Sequence, residues 1–153
     1  MRREKRKSWG EYFMEMALLV AERSNCTRRH TGSILVHNNQ MFASGYNGTP
    51  KGLKNCDEGG CPRCASKVPS GKELEDCLCS HAEENAIVQS AFLGIQTKGA
   101  TLYCTLCPCT HCTKMVINSG IKKVVFLKPY SHLKQTSRLF AKAGISFKKL
   151  TLS

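Results

Sequence analysis

Two stretches decide how this chain folds: HAEENAIVQSAFLG, residues 81–94, and CTLCPCTHCTKMVINSG, residues 104–120. Read outward from its polar start, His81 to Leu93 has the length and periodicity of a helix, and Gly94 stands where a left-handed C-cap ends one. Cys109 to Ser119 repeats the pattern and stops at Gly120. Between them Ala100 to Thr105 reads as a strand. Downstream, Lys122 to Leu127 is a second strand around Val124, Val125 and Phe126. Ser131 to Ala143 is a helix stopped by Gly144, and Ile145 to Leu150 a last strand. Upstream, Ser8-Trp9-Gly10-Glu11 has capping-box spacing, and Phe13, Met16, Ala17 and Val20 continue a helix to about Arg23. Ser33 to Val36 and Met41 to Tyr46 form a hairpin around the polar turn 37–40. The order α-β-β-α-β-α-β-α-β predicts an α/β fold, one sheet of about five strands with helices on its faces.

A chain of 153 residues suits one domain, here residues 8–153 behind a basic tail, 1–7. Apolar residues make up 41% and glycine adds 12 positions, which excludes intrinsic disorder for most of the chain. The longest apolar run, Met16 to Ala21, is far short of the about 20 residues of a membrane span. No apolar stretch follows the basic start, so no signal peptide is expected and the expected compartment is the cytoplasm. Ten cysteines then point to metal or thiol chemistry rather than disulfides. The formal charge of +12 favours a polyanionic partner, either nucleic acid or a phosphorylated small molecule. Five of those positives sit in the tail, and zinc-bound thiolates lower the balance further.

Residues 47–80 break the pattern. They hold glycine, proline, lysine and five cysteines with little periodicity. A structureless loop this long is uncommon within a compact domain, so it needs order from elsewhere, and metal crosslinks would supply it. Cys61-Pro62-Arg63-Cys64 has knuckle spacing, and Cys77-Leu78-Cys79 lies just before the helix at His81. Six cysteines are candidates for a second metal: Cys26, Cys56, Cys61, Cys64, Cys77 and Cys79. Cys104 and Cys107 read as buried packing residues.

The chemistry lies at the two helix starts. Cys109 and Cys112 are three apart, on one face of a first turn. Pro108 suits a helix entrance, because its missing N–H would be unpaired there. The positive helix N-terminus favours thiolates. His81, Cys109 and Cys112 supply three zinc ligands and leave one tetrahedral position for water, the mark of a catalytic site. Glu83 would diverge from His81 by about 200° on an ideal helix. With His81 at a frayed first position both approach the metal, and Glu83 serves the water as proton shuttle. H-x-E with P-C-x-x-C is the signature of zinc nucleobase deaminases.

The chain resembles the deoxycytidylate branch of the cytidine and deoxycytidylate deaminase family. The matching pieces are Arg23-Ser24-Asn25-Cys26-Thr27-Arg28, Gly45-Tyr46-Asn47-Gly48-Thr49-Pro50-Lys51-Gly52, His81 to Ile87 and Thr105 to Cys112. The resemblance spans about residues 11 to 150 and implies a cytidine deaminase-like three-layer fold with a central mixed sheet. It further implies catalytic zinc on His81, Cys109 and Cys112, with Glu83 as shuttle. Substrate contacts are implied from Asn47, Arg28 near the phosphate, the Ala82 backbone and Tyr130. The implied reaction is hydrolysis of dCMP to dUMP and ammonia, which supplies the thymidylate precursor. A second, structural zinc is implied on Cys26, Cys56 and Cys79, with Cys61, Cys64 or Cys77 as fourth ligand. A homo-oligomer, as large as a hexamer, and dCTP and dTTP effectors also follow from the resemblance.

Two other readings stay open. The substrate is dCTP, or both dCTP and dCMP, since these differ only in phosphate reach. Alternatively the enzyme acts on single-stranded nucleic acid or tRNA, which the basic surface permits. That reading wants aromatic platforms for neighbouring bases, and Trp9 is the only tryptophan. A non-catalytic zinc-stabilised nucleic-acid-binding module would have no use for Glu83, so nucleic acid is the less favoured partner.

Overall fold

The computed structural model describes residues 5–153; Met1 to Glu4, with Arg2 and Arg3 of the basic tail, lie outside the described residues. The first helix, α1, runs Trp9–Ala21. Its capping box is formed: the Glu11 N–H donates to Ser8 Oγ at 3.2 Å and the Ser8 N–H to Glu11 Oε2 at 2.9 Å. Phe13, Met14 and Ala17 are buried along its inner face.

Strands β1 (Gly32–His37) and β2 (Gln40–Tyr46) pair antiparallel. Asn38 and Asn39 make the turn at φ 50° and 58°, the left-handed conformation a two-residue hairpin loop needs. Helix α3 (Ala82–Leu93), strand β3 (Thr101–Leu106), helix α4 (Thr110–Asn118), strand β4 (Lys123–Lys128), helix α5 (Leu133–Lys142) and strand β5 (Ser146–Lys149) follow, after a short helix α2 (Pro62–Ala65). Gly94, Gly120 and Gly144 follow α3, α4 and α5 at φ 70°, 77° and 71°, as their spacing predicted.

The sheet has the order β2-β1-β3-β4-β5. β1 and β3 are antiparallel, while β3, β4 and β5 are parallel, so the sheet is mixed. Residue alternation builds two cores. Ile34, Val36, Tyr103 and Val125 face α1 with Phe13, Met14 and Ala17. Leu35, Leu102, Cys104, Val124 and Phe126 face the other way, onto Ala86 of α3, Val116 of α4 and Phe140 of α5. The expected three-layer α/β fold is therefore present. Cys104 and Cys107 are buried in this second core, as expected of packing residues.

β2 comes so close to α3 that a Cβ at Gly45 would lie 2.3 Å from the Ala82 carbonyl oxygen and 2.4 Å from the Ala86 nitrogen. Only glycine permits that approach. It fixes the start of α3 against the sheet.

The stretch 47–80 is less structureless than its composition suggests. It contains a 3-10 turn at Cys56–Glu58, α2, and a second 3-10 turn at Leu74–Asp76. Its ends are pinned together by paired hydrogen bonds between Gly48 and Ser80, of 3.1 and 2.8 Å. No described helix is long and apolar enough to cross a membrane.

Candidate active site

Both parallel strands of the sheet's centre, β3 and β4, end at the same edge, and the polar starts of α3 and α4 meet there. Crevices at the carboxyl ends of strands are where open α/β sheets bind ligands. His81 is the N-cap of α3, with extended backbone at φ −78° and ψ 159°, so it lies outside the helical spiral. The divergence of about 200° between His81 and Glu83 therefore does not apply. Cys109 is the N-cap of α4, and its sulfur accepts the Cys112 N–H at 3.5 Å.

Pro108 stands at the entrance of α4, directly before the N-cap. Cys109 takes the capping role, and the buried Pro108 carbonyl accepts the Thr136 hydroxyl at 2.9 Å.

His81 Nδ1 lies 3.5 Å from Cys109 Sγ and 3.3 Å from Cys112 Sγ. Bond lengths of about 2.3 Å to sulfur and 2.0–2.1 Å to nitrogen put tetrahedral N and S ligands about 3.6 Å apart. The three donors thus stand at near-ligand separation, and the residues fit zinc. Their protonation agrees. The Cys112 thiol donates to Cys109 and the His81 ring adds a second bond, so Cys109 is lowered to about 3 against the opposing effect of burial. Cys112 is pushed up in turn. The Cys109 thiolate raises His81 to about 9. Zinc competes for the same lone pairs, so its binding releases these protons.

Glu83, second in α3, is 5% exposed and borders the same cleft. Burial raises its carboxyl above the usual carboxylate range, partly opposed by donated hydrogen bonds. A carboxyl poised upward beside a metal site suits proton transfer. Glu84, next along, accepts the His81 N–H at 3.3 Å and lies 3.3 Å from Nε2 of His111 at the rim.

The cleft has a volume of about 300 Å³ and takes Asn47, Arg28 and Tyr130 into its lining, along with residues the sequence reading passed over: Arg29, Thr31 and Arg63. The polar partners change how two of these are understood. Asn47 is 7% exposed; its Oδ1 accepts the Thr31 N–H at 2.8 Å and the Ser24 hydroxyl at 2.6 Å, and its Nδ2 donates to the Arg29 carbonyl at 2.7 Å. One amide N–H is left over for a ligand.

Arg28 does not fit the phosphate role read for it. Its guanidinium donates to the carbonyls of Cys64, Arg63, Ser66 and Val68 at 2.5–3.3 Å, four of its five N–H groups. It binds the insert together. Arg29 instead is exposed, with its guanidinium 4.8 Å from the Tyr130 ring centre. Only the partners, which are distant in sequence, distinguish these adjacent arginines. Ala82 is fully buried as the first residue of α3, where backbone N–H groups have no partner within the helix.

The six remaining cysteines converge beside this cleft. Cys26, Cys56, Cys64 and Cys79 have sulfurs mutually within 4.8 Å, and so do Cys61, Cys64, Cys77 and Cys79. Of the three candidates for fourth partner of Cys26, Cys56 and Cys79, the structure brings Cys64 into place. A second groove, of about 540 Å³ on the α1 side, is lined by Trp9, His37, Lys123 and Lys148 and holds none of these donors.

The family described as "Cytidine and deoxycytidylate deaminase zinc-binding region" matches residues 7–128. A deoxycytidylate deaminase of Schizosaccharomyces pombe is 48% identical over 94% of this chain and 44% of its own length. One of Saccharomyces cerevisiae is 40% identical over 97% of this chain and 46% of its own length. The chain thus spans about half the length of these curated relatives. The crystal structure of a dCMP deaminase from cyanophage S-TIM5, in complex with dCMP and dUMP, superposes with a TM-score of 0.77 at 32% identity, covering 96% of this chain and all of that one.

Proposed function

The chain belongs to the cytidine and deoxycytidylate deaminase zinc-binding family, and from that premise we propose that it hydrolyses dCMP to dUMP and ammonia, supplying the thymidylate precursor. The observation that carries this reading is the placement of buried Glu83 in one cleft with His81 and Cys109, and with a cation, Arg29, at its edge. The relatives named for deoxycytidylate support the choice of substrate.

His81, Cys109 and Cys112 would hold the ion. When bound, zinc supplies a Lewis acid that makes water nucleophilic at neutral pH. Glu83 takes the proton of that water, gives it to ring nitrogen 3 as carbon 4 is attacked, and then carries a proton to the departing amino group. The spare Asn47 N–H and the Ala82 backbone orient the nucleotide. Tyr130 packs against it, and Arg29 receives the phosphate through charge-assisted hydrogen bonds. Burial excludes bulk water from Glu83 and raises its carboxyl above the usual carboxylate range.

Residues 8–153 act as one unit, because Arg63, Cys64 and Cys77 of the insert border the same cleft as Glu83. We read at least one structural zinc in the insert beside the catalytic one. Association into a homo-oligomer of up to six copies is supported by the apolar group Val88, Phe92, Leu93 and Ile95, which stays exposed on and just after the outer half of α3. The Gly45 to Gly52 segment, where Lys51 lies 5.8 Å from the Phe92 ring, is the part read as responding to dCTP and dTTP.

The test is a substrate panel. Zinc-loaded protein is incubated with dCMP, dCTP, deoxycytidine and a cytosine-containing single strand, and ammonia is followed. Release from dCMP with the highest specificity constant supports the reading. Preference for dCTP or for the strand would replace it.

A further inference from the structure

The insert buries sulfur where a domain of this size would bury hydrocarbon. Cys26, Cys56, Cys61, Cys64 and Cys79 form a core of their own with Cys77 packed against it, and no other apolar residue joins it among the described residues. Leu53, Leu74 and Leu78, the leucines of the insert, are 53%, 41% and 44% exposed. Hydrophobic burial does not organise this segment.

The two four-cysteine groups share Cys64 and Cys79, so they cannot be filled as separate sites. A single ion on Cys26, Cys56, Cys64 and Cys79 would leave Cys77 stranded 3.7 Å from Cys64 and 3.9 Å from Cys61. These separations are far beyond a disulfide bond of about 2.05 Å. They match the sulfur–sulfur edge of a zinc tetrahedron, about 3.8 Å for bonds of about 2.3 Å. Two tetrahedral ions need eight ligand positions. Six sulfurs supply eight when two of them each serve both ions.

We propose that the six cysteines form one binuclear zinc–thiolate cluster, in which Cys64 and Cys79 bridge the ions, Cys26 and Cys56 complete one tetrahedron, and Cys61 and Cys77 complete the other. Two Zn²⁺ ions replace six thiol protons, leaving six protons in solution and a cluster of net charge −2. The surroundings match that charge. The backbone N–H of Leu78 points at Cys61 Sγ at 3.3 Å, as N–H groups do around thiolate ligands. Arg63, on the same short helix as Cys64, is 8% exposed. Its guanidinium donates to the carbonyls of Pro69 and Lys72, and Arg28 binds carbonyls alone. Neither arginine has a carboxylate partner among the described residues. Two cations held beside a dianion balance it, whereas beside six neutral thiols they are two uncompensated charges.

The inference goes beyond a single structural ion and does not depend on the deaminase reading, because it is tested by metal content and not by turnover. Protein expressed with zinc is passed over chelating resin and measured by elemental analysis and native mass spectrometry. Three zinc ions per chain are expected for the wild type and two for H81A, which removes only the catalytic site. C64S, lacking one bridge, should keep one cluster ion beside the catalytic one, two per chain. Should C64S fail to fold, cadmium-substituted wild type decides: two all-thiolate NMR signals that couple to each other show shared sulfurs. Two zinc ions in the wild type with one in H81A would overturn the cluster. So would uncoupled cadmium signals, or iron with acid-labile sulfide in place of zinc.

Discussion

Arg28 and Arg29 are adjacent, chemically identical and opposite in use. Arg28 is consumed by four carbonyls of the insert, while Arg29 lies over Tyr130 with its guanidinium available. Replacing Arg29 by alanine should weaken dCMP binding by about 1.5–3 kcal/mol, the worth of hydrogen bonds to a charged group. It should leave deoxycytidine, which has no phosphate, unaffected. Steady-state kinetics with both substrates check this, and an equal loss for both would remove Arg29 from the phosphate. Cys109→Ser should lower the zinc content by one ion per chain, since three protein ligands leave none to spare. Unchanged zinc in that variant would mean a different ligand set. At this scale the sequence revealed the residues whose chemistry is fixed by type, such as His81, Cys109, Cys112 and Glu83, which the structure gathers in one place. It did not reveal the work of Arg28 or Asn47. Their hydrogen-bond partners, Ser66 and Val68 for one and Ser24 and Thr31 for the other, come from elsewhere in the chain.

Elements meet at the cleft because β2 and α3 nearly touch. Gly45→Ala would drive a methyl group into the Ala82 carbonyl and the Ala86 nitrogen, both of them backbone that cannot rotate away. Overpacking of this kind costs about 1–3 kcal/mol and should move the start of α3, taking Glu83 with it. Thermal unfolding and turnover measured together check the outcome. A variant with unchanged Tm and unchanged kcat would show that this contact does not position Glu83. Helices and strands were legible from periodicity and glycine stops, with ends displaced by no more than two residues. Cys109, a ligand by type, also caps α4 through its sulfur, a second role that residue type alone does not reveal. Residues 47–80 resisted reading for a different reason. Their order comes from converging sulfurs and arginine–carbonyl bonds, neither of which leaves a period in sequence.

Across the whole molecule, the two cores account for most large apolar side chains, and the group at the end of α3 is left outside. Phe92 is 84% exposed, the most of any large apolar residue among those described. Isolated exposure of this kind is ordinary, but four neighbouring residues suggest a covered face. Phe92→Glu should reduce the sedimentation coefficient towards that of a single chain without removing zinc. A wild type that already sediments as a monomer would contradict the assembly reading.

If one cleft joins zinc to a proton-carrying carboxylate for the deamination of dCMP, wild type and Glu83→Gln at equal zinc content must differ in dUMP formation. The amide keeps the size and hydrogen bonding of the side chain but cannot carry a proton, a step that contributes about 10²–10⁴-fold. The wild type should convert dCMP to dUMP with one ammonia per turnover, and the variant should keep its zinc and fold while turnover falls by at least that lower factor. More than a tenth of wild-type turnover in the variant, or no dUMP from the zinc-loaded wild type, would contradict the account.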